Sequence, residues 1–192
     1  MTRAFRPDAL APAVIDAILD AARRAPSAGF TQGVDLIVLE GPTETARFWD
    51  VSLPHGERRD RFWWPALLEA PLLVIAVCEP DAYVRRYAQP DKADTGLGAS
   101  REAWPVAYWT VDAAFAAMAL QYAAIDAGLG VLFFGIPGPW ASVLAALGVP
   151  AGYEAIGVVA IGLPADDVAA PSGSPTRRAR RPPTDVVHRG GW

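Results

Sequence analysis

The chain has 192 residues, 52% of them hydrophobic, and a formal net charge of −4. This length and composition predict one domain, residues 1–192, with a sizeable core. The acidic balance argues against a general nucleic-acid or membrane-surface binder. Cys78 is the only cysteine, which excludes an intrachain disulfide and favours a reducing compartment. We therefore expect a cytoplasmic protein with neither nucleic acid nor membrane among its partners.

Apolar periodicity predicts helices and strands in alternation along the chain. A helical apolar face begins near Val14 and stops at Ala25-Pro26, because proline disfavours helical angles in the residue before it. Strands are predicted at residues 35–40, 72–78, 131–135 and 156–162, and further helices near 43–53, 81–88, 111–127 and 139–147. Thr110 and Pro139 suit the starts of the last two helices. This interleaving indicates an α/β or α+β layered domain.

The predicted helix 111–127 is apolar nearly all round, and its large apolar residues are Phe115, Met118, Leu120, Tyr122 and Ile125. A membrane span would place Asp126 in or near the lipid, at a cost of roughly 2.5–3.5 kcal/mol near the bilayer centre. A buried helix followed by a strand explains the pattern better. Since a small domain has difficulty burying one helix on every side, the pattern suggests a subunit interface.

Two segments lack periodicity. Residues 89–108 read as a long loop, and residues 165–184 are rich in Pro, Ala, Ser and Arg. All but one of the 17 basic residues are arginines, and five of these lie between Arg177 and Arg189. Arginine forks match phosphate oxygens, so the tail indicates an anion site, with a solvated tail as the alternative.

The usual side-chain signatures of enzymes are largely missing. His55 and His188 are the only histidines, too few for a histidine metal cluster, and neither a nucleophile elbow nor a phosphate loop is present. Either the protein is no enzyme, or a cofactor performs the reaction. The small residues of Ser27-Ala28-Gly29 would let a flat ligand approach the backbone, and the tail arginines would suit its negative charge.

The string Arg24-Ala25-Pro26-Ser27-Ala28-Gly29-Phe30-Thr31-Gln32 resembles the "aPSaxNxQPw" motif of the FMN-dependent nitroreductase family. Further strings recur in the family's order at residues 68–75, 127–130, 147–150, 161–164 and 181–187, so the resemblance covers nearly the whole chain. It implies a nitroreductase-like α+β fold of three layers, with a central, mostly antiparallel sheet flanked by helices. It also implies an intertwined homodimer, in which residues 165–192 form an extended arm around the partner and FMN lies at the interface.

The resemblance also implies roles for individual residues. Basic residues from both chain ends would grip the flavin phosphate, the loop at Pro26 would follow the ring and ribityl chain, and backbone amides after the third strand would face the reactive flavin edge. The implied cofactor-binding residues are Arg3, Pro26, Ser27, Ala28, Gly29, Pro137, Gly138, Arg178 and Arg180. NADH or NADPH would reduce the flavin, and a nitroaromatic, quinone or similar electron-poor acceptor would then take its place in a ping-pong order. Neither a catalytic side chain nor a metal ion is implied.

Some positions depart from the family pattern. Phe30 replaces the motif asparagine, Gly33 replaces a proline, and Pro137 has no N–H to donate. These departures leave two alternatives open: a flavin-binding protein of the same fold with little turnover, or a reductase that uses a deazaflavin or a specialised substrate. Four tryptophans are candidates to shape a substrate pocket, namely Trp63, Trp64, Trp104 and Trp109.

Overall fold

The computed structural model describes residues 1–136, 138–165 and 178–192. Its helices are α1 (Pro12–Arg23), α2 (Gly41–Ser52), α3 (Glu57–Asp60), α4 (Pro80–Tyr87), α5 (Tyr108–Asp126) and α6 (Trp140–Ala146). Its strands are β1 (Val34–Glu40), β2 (Leu72–Cys78), β3 (Gly130–Phe134) and β4 (Glu154–Gly162). The predicted long loop before α5 contains two short 3-10 turns, Ala93–Thr95 and Arg101–Ala103.

The four strands form one antiparallel sheet in the order β1-β2-β4-β3. At one end of the sheet Val34 pairs with Cys78, which in turn pairs with Glu154. At the other end Leu72 pairs with both Glu40 and Ile161. We call these the Cys78 end and the Leu72 end. They lie about 20 Å apart, because a strand rises roughly 3.3 Å per residue.

Strand β2 shows how the core divides into two layers. All seven of its residues are buried, and successive side chains point to opposite faces of the sheet. Leu73, Ile75 and Val77 pack in the cluster that contains Phe48 of α2 and Val143 of α6. The alternating residues of β2 pack in the cluster that contains α1 and α5, namely Leu72, Val74 and Ala76. The sheet is therefore covered by helices on both faces, and the predicted α+β class is confirmed.

Helix α5 has two apolar sides with different surroundings. Its small residues, such as Ala117 and Ala124, are buried against the sheet and α1. Its large residues form an exposed stripe at helical spacing: Tyr108, Phe115, Met118, Tyr122 and Ile125. Within one chain this helix is thus only half covered, and the large apolar side chains lie on the open side.

The predicted strand boundaries agree with the structure to within two residues. Helix α5 begins at Tyr108, so Thr110 lies inside its first turn and is not the predicted cap. Pro139 precedes α6 as its N-cap residue and is not a residue of its first turn. Among the described residues, no helix is both long and apolar enough to cross a membrane.

Candidate functional site

The loop after α1, residues 27–32, is called the Ser27 loop below. It contains a single 3-10 turn, Ala28–Phe30, and three of its residues have positive φ angles: Gly29 at 60°, Phe30 at 53° and Gln32 at 55°. Ser27 stabilises the turn from within, since its carbonyl accepts from the Phe30 N–H at 2.9 Å and its Oγ accepts from the Gln32 N–H at 3.0 Å. The small residues thus form a tightly wound loop of defined shape.

Side chains from two other helices hold the Ser27 loop from outside. Asp112 of α5 is 3% exposed, and its Oδ2 accepts from the Ala28 N–H at 2.8 Å and from the Tyr83 hydroxyl at 2.7 Å. Arg86 of α4 donates from Nε to the Gly29 carbonyl at 2.9 Å. Burial, together with the hydrogen bond to Asp112, raises the pKa of Tyr83 well above its ordinary value. The loop is therefore fixed by groups that lie far away in sequence.

Close packing explains the glycine in this loop. A Cβ on Gly29 would lie 2.7 Å from the Tyr87 ring, and the φ of 60° also favours glycine. Tyr87 in turn contacts Trp104, which belongs to a buried aromatic cluster that also includes Trp109. Trp104 and Trp109, two of the candidate pocket tryptophans, are each 8% exposed and belong to the cluster that packs beside Ala28 and Tyr87.

A cavity of about 500 Å³ lies beside α1, the edge strand β1 and α5. Pro26 and Ser27 line it, together with Arg23 and four carboxylates: Asp16, Asp20, Asp35 and Asp112. Asp20 forms ion pairs with Arg23 and Arg24. The carboxylates outnumber the arginine in this lining, so the wall disfavours a phosphate and the cavity suits an uncharged part of a ligand. In the described residues, no group of three His, Cys, Asp or Glu side chains is arranged to hold a metal ion.

The N-terminal segment that carries Arg3 lies at the Leu72 end of the sheet. The Thr2 N–H donates to the Val131 carbonyl at 2.9 Å, and Phe5 forms a bridge with Pro164 just after β4. The Arg3 guanidinium lies 5.3 Å from the centre of the Trp64 ring, a cation–π contact. No carboxylate among the described residues pairs with Arg3, so its charge is available to an anion.

A second cavity, of about 400 Å³, lies beside Trp64. Its lining is mainly apolar and includes Phe134, Gly135 and Ile136, which lead from β3 towards Gly138. In the described part of the chain, three buried side-chain atoms have no hydrogen-bond partner, and all belong to residues that line this cavity: Trp49 Nε1, Ser52 Oγ and Trp64 Nε1. Unpaired buried donors cost about 1–3 kcal/mol each. A ligand with acceptor atoms would lower that cost.

The remaining predicted residues lie on exposed segments. Gly138 is exposed and follows β3, and Pro137 lies outside the described residues. Arg178 and Arg180 are exposed, in the described part of the arm beyond residue 177. Trp63 is 75% exposed.

The predicted cofactor residues thus fall into separate groups within one chain. The Ser27 loop lies at the Cys78 end, since it leads into Val34, whereas Arg3 lies at the Leu72 end beside Gly130. A distance of about 20 Å along the sheet separates the two ends. The chain does not bring these predicted residues together by itself.

Sequence reasoning missed the residues that shape the Ser27 loop. Asp112 lies 84 positions after Ala28 in the chain, and Arg86 lies 57 positions after Gly29. One signal was available for Asp112, since it is a carboxylate near the start of a mainly apolar helix. Such a charge is rarely buried without partners.

The fold and the loop together define a class of protein: an antiparallel sheet covered by helices on both faces, with a fixed small-residue loop at one end of the edge strand. The family model described as "Nitroreductase family" matches residues 1–163. The chain belongs to the nitroreductase family, and the resemblance of its motifs is confirmed. No curated protein is significantly similar to the chain in sequence.

Solved structures share the fold at low sequence identity. A nitroreductase-like protein from Streptococcus mutans has a TM-score of 0.72 and 16% identity, covering 97% of this chain and 91% of the other. The hypothetical oxidoreductase YcnD from Bacillus subtilis has a TM-score of 0.72 and 21% identity, covering 100% of this chain and 70% of the other. An FMN-dependent nitroreductase from Clostridium difficile has a TM-score of 0.65 and 19% identity, covering 100% of this chain and 94% of the other.

Proposed function

We propose that this protein is an FMN-dependent oxidoreductase that takes hydride from NADH or NADPH and passes it to electron-poor acceptors such as nitroaromatics or quinones. The observation that carries the proposal is the Ser27 loop. It resembles the family motif, and hydrogen bonds with Asp112 and Arg86 of the same chain hold it in one conformation. A preorganised loop binds a rigid, flat ligand at little entropic cost. The match of the family model over residues 1–163 supports the same activity.

The charges of the chain fit FMN. Its phosphate would be held by Arg3, Arg178 and Arg180, since arginine forks bind phosphate oxygens in pairs. The acidic cavity beside Ser27 disfavours the phosphate and would take an uncharged part of the cofactor. The unpaired donors at Trp49, Ser52 and Trp64 offer hydrogen bonds near Arg3.

We further propose that the protein acts as a homodimer, with each site built from two chains. The Ser27 loop and Arg3 lie at opposite ends of one sheet, so a second copy would bring a loop from one chain towards the arginine of the other. The exposed stripe on α5 supports this assembly, because five large apolar side chains on one helix side form an interface-like surface. The C-terminal arm would embrace the partner.

Bound FMN would supply the redox chemistry, a two-electron exchange with nicotinamide in one half-reaction and with the acceptor in the other. The chain's own residues would bind and orient. The arginines would hold the anionic end, the Ser27 loop would fix the plane of the ring system, and the Gly138 N–H would donate to the flavin edge. Protons for the acceptor can come from water, so no side chain is assigned as a catalytic acid or base.

The first experiment is the visible absorption spectrum of the purified protein after incubation with FMN and desalting. We expect a retained flavin band that NADH or NADPH bleaches without oxygen and that a quinone restores. A colourless protein would contradict the cofactor assignment. A comparison of the two bleaching rates would also give the preferred nicotinamide.

A second candidate is a flavin-binding protein of the same fold with little turnover. Pro137 favours it, because a proline cannot donate a hydrogen bond to the flavin from its backbone. A retained flavin band that neither nicotinamide bleaches would select this candidate. Bleaching only by a reduced deazaflavin would instead identify a different reductant.

We also propose a cytoplasmic location. Cys78 is a free, fully buried thiol, which fits a reducing compartment, and nicotinamide cofactors are available there. Fractionation of the source cells with an antibody against the protein would test this location.

A further inference from the structure

Phe30 occupies an unusual position in the Ser27 loop. Its φ angle is 53°, in the left-handed region that bulky residues rarely adopt. Its side chain is 76% exposed, and no aromatic ring among the described residues stacks on it. The position therefore combines backbone strain with an apolar ring in contact with solvent.

The strain at Phe30 is imposed by the rest of the loop. The Phe30 N–H donates to the Ser27 carbonyl at 2.9 Å, and the neighbouring Ala28 N–H and Gly29 carbonyl are bound to Asp112 and Arg86. Strained residues persist where the surroundings fix them in this way, and they cluster at ligand sites. Asparagine or glycine would adopt this φ angle at much lower cost.

The Phe30 ring is not stabilised by burial within its own chain. Core packing cannot explain it, because three quarters of the side chain is exposed. Turn chemistry cannot explain it either, since phenylalanine is a poor residue for a left-handed position. The ring is therefore accessible to a molecule that approaches the loop from outside.

We propose that Phe30 is a binding residue for the acceptor and selects flat aromatic molecules by stacking. The ring lies two residues after Ala28, within the loop that would follow the flavin. Electron-poor rings such as nitroaromatics and quinones stack well on the electron-rich face of phenylalanine. This inference rests on the proposed function and adds a preference for aromatic over small non-aromatic acceptors.

Three substitutions separate the ring from the strain. Phe30→Asn removes both, Phe30→Leu removes the ring and keeps a bulky apolar side chain, and Phe30→Tyr keeps both. The melting temperature of each protein without FMN measures the strain. Calorimetric titration of the FMN-loaded protein with 4-nitrobenzoate, without nicotinamide, measures the stacking by equilibrium binding. KM values for a benzoquinone and for ferricyanide then compare an aromatic with a non-aromatic acceptor.

We expect Phe30→Asn to raise the melting temperature by about 2–4 °C, the shift expected from relief of strain in a chain of this size. Both Phe30→Asn and Phe30→Leu should weaken 4-nitrobenzoate binding by about 2- to 12-fold and raise the KM for benzoquinone alike. Phe30→Tyr should match the original protein in all three measurements. The KM for ferricyanide should not change in any variant.

Unchanged 4-nitrobenzoate affinity in both Phe30→Asn and Phe30→Leu would overturn the proposal. Conversion of these variants to monomers, measured by light scattering, would also overturn it and assign the ring to a subunit contact. If the original protein retained FMN but turned over no acceptor, the proposed function would fail by itself. The 4-nitrobenzoate titration would still decide the role of Phe30 in that case.

Discussion

The Ser27 loop and the arginine group, Arg3 with Arg178 and Arg180, are organised in different ways. The loop is held by a buried carboxylate, an arginine and a tyrosine ring from distant parts of the chain. Of the arginines, Arg3 lies over the Trp64 ring, and the two tail residues are exposed. One half of the proposed site is therefore shaped by folding, whereas the other half contributes positive charge from exposed or terminal segments.

This difference separates stability from binding. A substitution of a residue that holds the Ser27 loop, such as Asp112, should lower the stability of the fold as well as the affinity for the cofactor. A substitution in the arginine group should lower affinity alone.

The arginine group should act on the ligand only. We expect the double substitution Arg178→Ala and Arg180→Ala to weaken FMN binding at least about 100-fold, since each hydrogen bond to a charged group contributes about 1.5–3 kcal/mol. The melting temperature without FMN should change by less than about 1 °C, because both side chains are exposed. Fluorescence titration with FMN measures the first effect and thermal denaturation the second.

The control for this pair is Arg47→Ala with Arg85→Ala, which removes the same charge from exposed arginines of α2 and α4. The control should retain FMN with little change in affinity. Equal losses in both double variants would show a general effect of charge, and unchanged affinity in the tail variant would refute the phosphate assignment.

The Ser27 loop should respond through stability. We expect Asp112→Ala to lower the free energy of unfolding by about 2–4 kcal/mol, because the Ala28 N–H and the Tyr83 hydroxyl both lose their acceptor. Urea denaturation measures the change. Asp16→Ala, on an exposed carboxylate that lines the same cavity, should change stability by less than about 0.5 kcal/mol. Equal stability of the two variants would contradict the view that contacts of the Ser27 loop stabilise the fold.

Tyr83→Phe should have a smaller effect of the same kind. The loss of one buried hydrogen bond lowers the free energy of unfolding by about 1 kcal/mol at neutral pH. Burial raises the pKa of Tyr83 in the folded protein. Above pH 10.0, the ordinary pKa of the hydroxyl, the unfolded chain therefore loses this proton while the folded chain keeps it. Stability should therefore fall above pH 10, and less steeply in Tyr83→Phe. Parallel alkaline unfolding curves for the two proteins would contradict this.

The accessibility of the Cys78 thiol reports how often the sheet end beside the Ser27 loop opens to solvent. Burial raises the pKa of its thiol to about 12, so very little thiolate is present at pH 8. We expect iodoacetamide to label the folded protein at least about 100-fold more slowly than the urea-unfolded protein, by mass spectrometry. Equal rates would show that this end opens readily.

The sequence predicts the sheet well because β2 and β4 consist of long apolar runs. Such runs must be buried, and a central strand buries them on both faces. It also predicts a helix end at Ala25-Pro26, and α1 ends close by, at Arg23. It could not predict the contacts of Asp112 and Arg86 with the loop, because these depend on how α4 and α5 pack. The left-handed φ angle of Phe30 could not be predicted either, because the same distant contacts fix the loop.

In the proposed homodimer, one FMN site needs the Ser27 loop of one chain and the arginine group of the other. Co-expression of Arg3→Glu with Pro26→Trp, followed by purification of the mixed dimer through two tags, tests it by the flavin absorbance retained after desalting. Each variant alone should retain almost none, while the mixed dimer should regain one FMN per two chains, because one of its two sites has both halves intact. A mixed dimer as colourless as its parents would contradict the shared site.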